Sequence, residues 1–347
     1  MSRAKHLFYL SNGTVTESQP QEDGFFIHER LGVDFYPSKY SWPCDRIIYT
    51  LNNCCVDLYD VFQNRIFLPP NDYYQYIDMV PIGLTGAGLD SDVDLPKSYF
   101  EKYFTENLYE ELLKKEDTNE EVRSKILEVD KLKYYYAYTA DCQSLIGSLQ
   151  ELIFATNDSF IGFYKLLCNV PHEEGMGNDY YALTSERRLV FNMLYSLIVQ
   201  VYSILDVTTK IAYELEHLKF CEDTYVRLSS KNILFGDKNR LHIDTSGTIF
   251  EKCKTISIFE NLRNEIVHNA VWELHPKVFF KIKSGVVSER AIYMPDFTEE
   301  GTLVTYKNRK RFFADGKKIN EELPALYLEF LYRLNITLSR LKLLQSC

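Results

Sequence analysis

Arg263, Asn264 and His268 are the residues of this chain whose types and spacing best suit chemistry: Asn264 follows the arginine directly and His268 stands five residues after it. A guanidinium is a planar, permanently charged fork of donors, an imidazole as a residue type exchanges a proton near neutral pH, and a side-chain amide both donates and accepts. The stretch that carries them, Thr255 to Trp272 (TISIFENLRNEIVHNAVW), has helical periodicity. Phe259, Leu262, Ile266 and Ala270 form an apolar stripe with Arg263 at its border. Glu260, Asn264, His268 and Trp272, spaced by four, form a second stripe that places His268 about opposite the core. The helix is therefore expected to present its polar stripe to something other than its own core.

Other chemistries have weaker support. There is no P-loop, no His-Glu-x-x-His, no Gly-x-Ser-x-Gly and no dinucleotide fingerprint. The eight cysteines are scattered without a Cys-x-x-Cys pair, so they read as reduced small hydrophobes and not as a zinc site or a disulfide framework. Asp90, Asp92, Asp94 and Glu101 have part of a calcium-loop spacing, but Leu95 stands where the loop needs glycine, and Asp94 before Pro96 reads better as the N-cap of a helix. His172, Glu173 and Glu174 lie in a polar Gly-containing loop with no register for metal binding. No metal and no cofactor is expected.

Two further features bear on the Arg/His helix. Asp206 is the first charge after seventeen uncharged residues, in the middle of a helix; it either pairs with Lys210 on a wet face or faces the Arg/His helix. Residues 277–320 hold ten Lys/Arg against five acids in a chain of net charge −10. Within them Lys307, Arg309, Lys310 and Arg311, beside Tyr306, Phe312 and Phe313, suit phosphates and bases, or else a strand edge protected by charge. The overall negative charge argues against a broad nucleic-acid-coating surface, so a polyanion site has to be local.

The elements that must position these residues are mainly α-helical. At 347 residues with 46% hydrophobic residues the chain has ample length for a core. Bundle helices are expected at about 118–155, 184–219, 250–274 and 322–345, with a β insert over 277–320 that turns at Ser284-Gly285. Phe160 to Asn169 reads as a separate short segment, and Pro276 as the end of the Arg/His helix. The helix from Thr184 carries Val190, Leu194, Leu197, Val201, Ile204, Thr208, Ile211, Leu215 and Leu218 at spacings of four and three, a seam along its whole length. Its uncharged part, Leu189 to Leu205, is interrupted by Asn192, Ser196, Gln200 and Ser203 and reads as a buried amphipathic helix and not as a membrane span. The N-terminus lacks the apolar run of a signal peptide, and a cytoplasmic location is expected. Cys44 to Gln63 also suits a helix, and the breakers Pro69-Pro70, Pro81 and Gly83 to Gly88 place a boundary near residue 95 between an N-terminal region of mixed structure (1–95) and a helical domain (96–347).

Arg263-Asn264 followed by His268 in a late bundle helix resembles the signature of the HEPN superfamily, the all-α nucleotide-binding and ribonuclease domains of prokaryotic toxins and anti-phage systems. The earlier helix with Asp206 is similar to the family's long helix that carries an acidic residue facing the motif. The resemblance covers about residues 118–347. It implies an antiparallel four-helix bundle and a homodimer joined through the Arg263/His268 face, with Trp272 covered by the second copy. It also implies metal-independent cleavage of single-stranded RNA, in which the ribose 2′-hydroxyl attacks the adjacent phosphate. Arg263 would bind that phosphate, His268 would assist proton transfer, and Asn264 would orient one of the two. A toxin or defence role implies an antitoxin or sensor protein as a further partner. The alternative is a non-catalytic HEPN-like binding or dimerisation module, in which Arg263 pairs with Glu260 or Glu265 and His268 is structural.

Overall fold

The seam of the helix from residue 184 is the most direct link between sequence and structure. The structure, a computed structural model, describes residues 6–9, 15–18, 41–65, 120–171, 179–182, 185–216, 241–270, 272, 276–284, 286–308 and 310–344. In it Val190, Leu194, Leu197, Val201, Ile204, Thr208, Ile211 and Leu215 are all buried. A side chain every four and then three residues stays on one side of a 3.6-residue helix, so the row enters the interior as far as Leu215; Leu218, its last expected member, lies outside the described residues.

Among the described residues the chain is mostly helical. The helices are α1 (Ser41–Arg65), α2 (Glu120–Cys168), α3 (Ser185–Glu216), α4 (Lys254–Asn269) and α5 (Ile319–Leu343). Strands β1 (His6–Tyr9) and β2 (Val15–Ser18) pair antiparallel near the N-terminus. Strands β3 (Asp179–Ala182), β4 (Val278–Lys283) and β5 (Val286–Ala291) form an antiparallel sheet in that order, and β6 (Thr305–Tyr306) with β7 (Lys310–Arg311) forms a small ribbon. α3 is long and apolar enough to cross a membrane by length and composition, and 44% of its apolar window is buried inside the protein.

The chain falls into two compact units. One contains Met1–Cys54, Gln150–Asp206 and Ile243–Arg340; the other contains Cys55–Leu149, Val207–His242 and Leu341–Cys347. The Arg/His helix and the β insert belong to the first. In that unit Ser159 on α2 donates to Gln200 on α3 at 3.0 Å, and Phe160 stacks on Tyr327 of α5 at 4.8 Å. Phe259 of α4 meets Phe330 of α5 edge-on at 5.9 Å.

Several element bounds differ from the periodicity reading, each for a physical reason. α2 does not stop near 155, because Ile153, Thr156, Phe160, Phe163 and Leu167 continue its buried row to Cys168. α5 begins at Ile319, before its first charged residues, and contains Pro324. Proline cannot donate to the carbonyl four residues back, that of Asn320. Tyr164 of α2 supplies the missing donor, its hydroxyl bonding that carbonyl at 2.7 Å. The buried Asn320 side chain accepts from the Ile292 amide at 2.9 Å, so the start of α5 is stitched to the end of β5. Asp179–Ala182, for which no strand was expected, pairs with β4 as a third strand. The boundary near residue 95, the Asp90 to Glu101 segment and His172 to Glu174 lie outside the described residues.

Candidate functional site

The two ends of α4 differ sharply in exposure. Its first turns bury Thr255, Ile256, Ser257, Ile258, Phe259 and Leu262, on every side of the helix. Part of that enclosure comes from the β insert, where Gly301 at φ 81° comes so close that a Cβ there would lie 2.5 Å from the Lys254 carbonyl oxygen. Asn261 bonds the Gly301 carbonyl at 3.3 Å. From Arg263 onward the helix opens: Arg263, Asn264, Glu265 and Ile266 are half-buried, and Val267, His268, Asn269 and Ala270 are exposed.

α4 ends at Asn269, one turn short of expectation, and Ala270 takes a left-handed φ of 68°. A continued helix would carry Trp272 outward on the Asn264/His268 stripe. The turn at Ala270 brings it inward, to 3% exposure, with its ring edge-on to Tyr195 of α3 at 5.4 Å. Burying an indole outweighs the roughly 1–2 kcal/mol that alanine incurs in the left-handed region. Trp272 is thus covered by its own chain and leaves the polar stripe, which corrects the expectation that a second copy covers it.

Arg263 is held on two sides. Its guanidinium donates to the Asn264 side-chain oxygen at 3.0 Å and lies over the ring of Tyr202 of α3, 4.7 Å from the centroid. Glu265, one of the two acids offered as its partner, is taken instead by Arg311 of β7 and by Asn269 at 3.0 Å. Among the described residues no carboxylate pairs with Arg263. Its charge is left to an aromatic face and a neutral amide, which keeps outward donors available to an anion. One turn beyond Asn264 on the same stripe, His268 is exposed at the open end of the helix.

The other expected residues sort differently. Asp206 stands four residues after Tyr202, one turn along the face of α3 that meets Arg263, and is half-buried. Lys307 is exposed at the tip of the β6–β7 ribbon, its ammonium 5.3 Å over the ring of the exposed Tyr306. Lys307 and Asn308 both take positive φ, 49° and 57°, as a tight ribbon turn requires. Arg311 anchors the ribbon to α4 through Glu265 and is only 25% exposed, so it acts as a strut between the basic cluster and the motif helix. Lys310 pairs in β7 with Tyr306, and Arg309 lies outside the described residues.

Tyr202 was missed from the sequence, and Glu265 was named there only as an alternative partner of Arg263. The available signal for Tyr202 was an aromatic residue one turn before Asp206; for Glu265 it was an acid two residues from Arg263, which read as that arginine's own partner. Among the described residues no three His, Cys, Asp or Glu side chains gather as metal ligands. No protein-family model, curated protein or solved structure matches this chain.

Proposed function

We propose that the protein is a metal-independent endoribonuclease of the HEPN type, cutting single-stranded RNA in the cytoplasm in a toxin or anti-phage defence role. The observation that supports this most is the Arg263–Asn264–His268 edge: a guanidinium without a carboxylate partner among the described residues, its neighbouring amide, and an imidazole on the open end of the same helix. In this reading the four helices α2 to α5 make an antiparallel bundle, with the β insert placed before the last.

The 2′-hydroxyl oxygen bonds to phosphorus and the bond from phosphorus to the 5′-oxygen breaks. His268 takes the 2′ proton and a proton is returned to the departing 5′-oxygen, so the products are a 2′,3′-cyclic phosphate and a 5′-hydroxyl. Arg263 offsets the charge that builds on the phosphoryl oxygens, with Asn264 holding its fork. Asp206 is the acidic residue that faces the motif from α3. Lys307, Arg309 and Lys310 bind the backbone beyond the cut, while Arg311 holds their ribbon against α4. A homodimer through the exposed turn from Val267 to Ala270 would bring two His268 imidazoles together, one to take the proton and one to give it. An antitoxin or sensor protein would cover the same edge to silence it.

One observation favours the non-catalytic reading, a HEPN-like RNA-binding or dimerisation module: Arg263 is already stacked on Tyr202. The test is incubation of purified protein with single-stranded RNA and the matching DNA in EDTA, followed by analysis of the new ends. The catalytic reading expects cut RNA bearing 2′,3′-cyclic phosphate and intact DNA. RNA that is bound but never cut establishes the binding module instead.

A further inference from the structure

The outer face of the sheet carries a second constellation that the Arg/His edge does not use. Val278 and Phe280 of β4 point into the protein, and Phe279, Lys281 and Lys283 point away. Beside them, from β5 and the segments after it, come Glu289, Ala291, Tyr293 and Lys318. These side chains, with Phe279 and Lys281, line a recess of about 280 Å³. Phe279 and Tyr293 meet edge-on, centroids 4.9 Å apart at 76°, so the recess is walled by the face of one ring and the edge of the other. Lys318 is bonded to Glu289 and, at 3.1 Å, to Glu321. Desolvation alone would lower the pKa of Lys318, but these hydrogen bonds and charges raise it, so it stays a cation.

A recess with an aromatic wall, a carboxylate acceptor and lysine ammoniums beside it matches one ligand class. We propose that this recess binds a nucleobase of single-stranded RNA together with its phosphate. The base stacks against the aromatic wall that Phe279 and Tyr293 form together, as unstacked bases do on aromatic side chains. The Glu289 carboxylate, with one oxygen on Lys318, accepts an N–H of the base edge through its remaining lone pairs. The exposed Lys281 takes the phosphate. The volume lies at the low end for ligand sites and suits one base rather than several. The segment that holds the recess, residues 277–320, carries ten Lys/Arg against five acids in an acidic chain, which favours a polyanionic strand as the occupant.

This proposal rests on RNA as the substrate, yet binding reads it separately from cleavage. A fluorescein-labelled octanucleotide with 2′-O-methyl riboses, which cannot be cut by 2′-hydroxyl attack, is titrated into the full-length His268→Ala protein and followed by anisotropy. Tyr293→Leu is expected to weaken binding about tenfold by removing the stacking ring. Lys281→Ala, at an exposed position that leaves the fold intact, is expected to weaken it less and to flatten the salt dependence by about 0.7 in log–log slope. Equal binding by both variants and the parent overturns the recess even if the parent cuts RNA, as does failure of the parent to bind the oligonucleotide. Competition by free mononucleotides at equal phosphate concentration separates a base read within a strand from a free nucleotide site; tighter binding of the octamer is the expected result, and equal displacement by a mononucleotide overturns the assignment to RNA.

Discussion

The closed and open ends of α4 are made by the same sixteen-residue helix and behave as different objects. At the closed end every direction is occupied, by Phe330 of α5 on one side and by the Gly301 turn of the insert on another. At the open end the polar residues are held sideways, Arg263 by Tyr202 and Glu265 by Arg311, while His268 meets solvent. The difference teaches that burial and polar exposure are separated along one axis. Side chains in the first two turns fix where the helix lies, and in the last turn Val267, His268 and Asn269 are exposed.

The largest expected effect that would break this comparison is at Phe259, which is 2% exposed. Phe259→Ala should destabilise the protein by about 3–5 kcal/mol in urea unfolding, whereas His268→Ala should stay within about 0.5 kcal/mol of the parent. Equal losses at the two positions would mean that the open end is part of the core. Next is Gly301→Ala, which forces a Cβ against the Lys254 carbonyl at a left-handed φ and should cost about 1–3 kcal/mol by the same measurement. Tyr164→Phe removes the donor that serves the Asn320 carbonyl beneath Pro324 and should cost about 0.5–1.5 kcal/mol, the net contribution of one hydrogen bond.

A pH titration sharpens the comparison at the entrance to the closed end. Glu251 is held below the ordinary carboxylate range by hydrogen bonds from Arg333 and from the Gly247 amide; Asp244 is lowered by bonds from Ser246 and by Arg340. Groups with depressed folded pKa values contribute stability above their ordinary value, and it is lost as pH falls through the folded one. The thermal midpoint should therefore be insensitive to these groups at neutral pH and decline below about pH 4. The smallest effect belongs to Ala270→Gly, which relieves the left-handed alanine at the open end and should change stability by no more than about 1 kcal/mol, in the stabilising direction.

How much of this could be read from sequence followed the same division. The α3 seam was legible because its described members, Val190 to Leu215, obey one period and one environment. The turn at Ser284 was legible because the strands on either side alternate. The end of α4 was not, since Trp272 fits the helical spacing and only its burial against Tyr195, a contact distant in sequence, pulls the chain out of register. The pairing of β3 with β4 was hidden in the same way, a four-residue strand whose partner lies about a hundred residues away. Of the site, Arg263, Asn264 and His268 were visible as types and spacing, but the partner of Arg263 was not. The alternative reading offered Glu260 or Glu265 on its own helix, and the ribbon residue Arg311 took Glu265 instead.

The central claim is that the open end of α4 carries chemistry that the fold does not need. The most direct measurement compares RNA cleavage in EDTA by the parent, Arg263→Ala and His268→Ala at equal concentration, with the thermal midpoint recorded on the same samples. The expected result is loss of cleavage by both variants, with midpoints close to the parent for His268→Ala and only slightly lowered for Arg263→Ala. Variants that cut RNA as fast as the parent, or that lose cleavage only by unfolding, would contradict it.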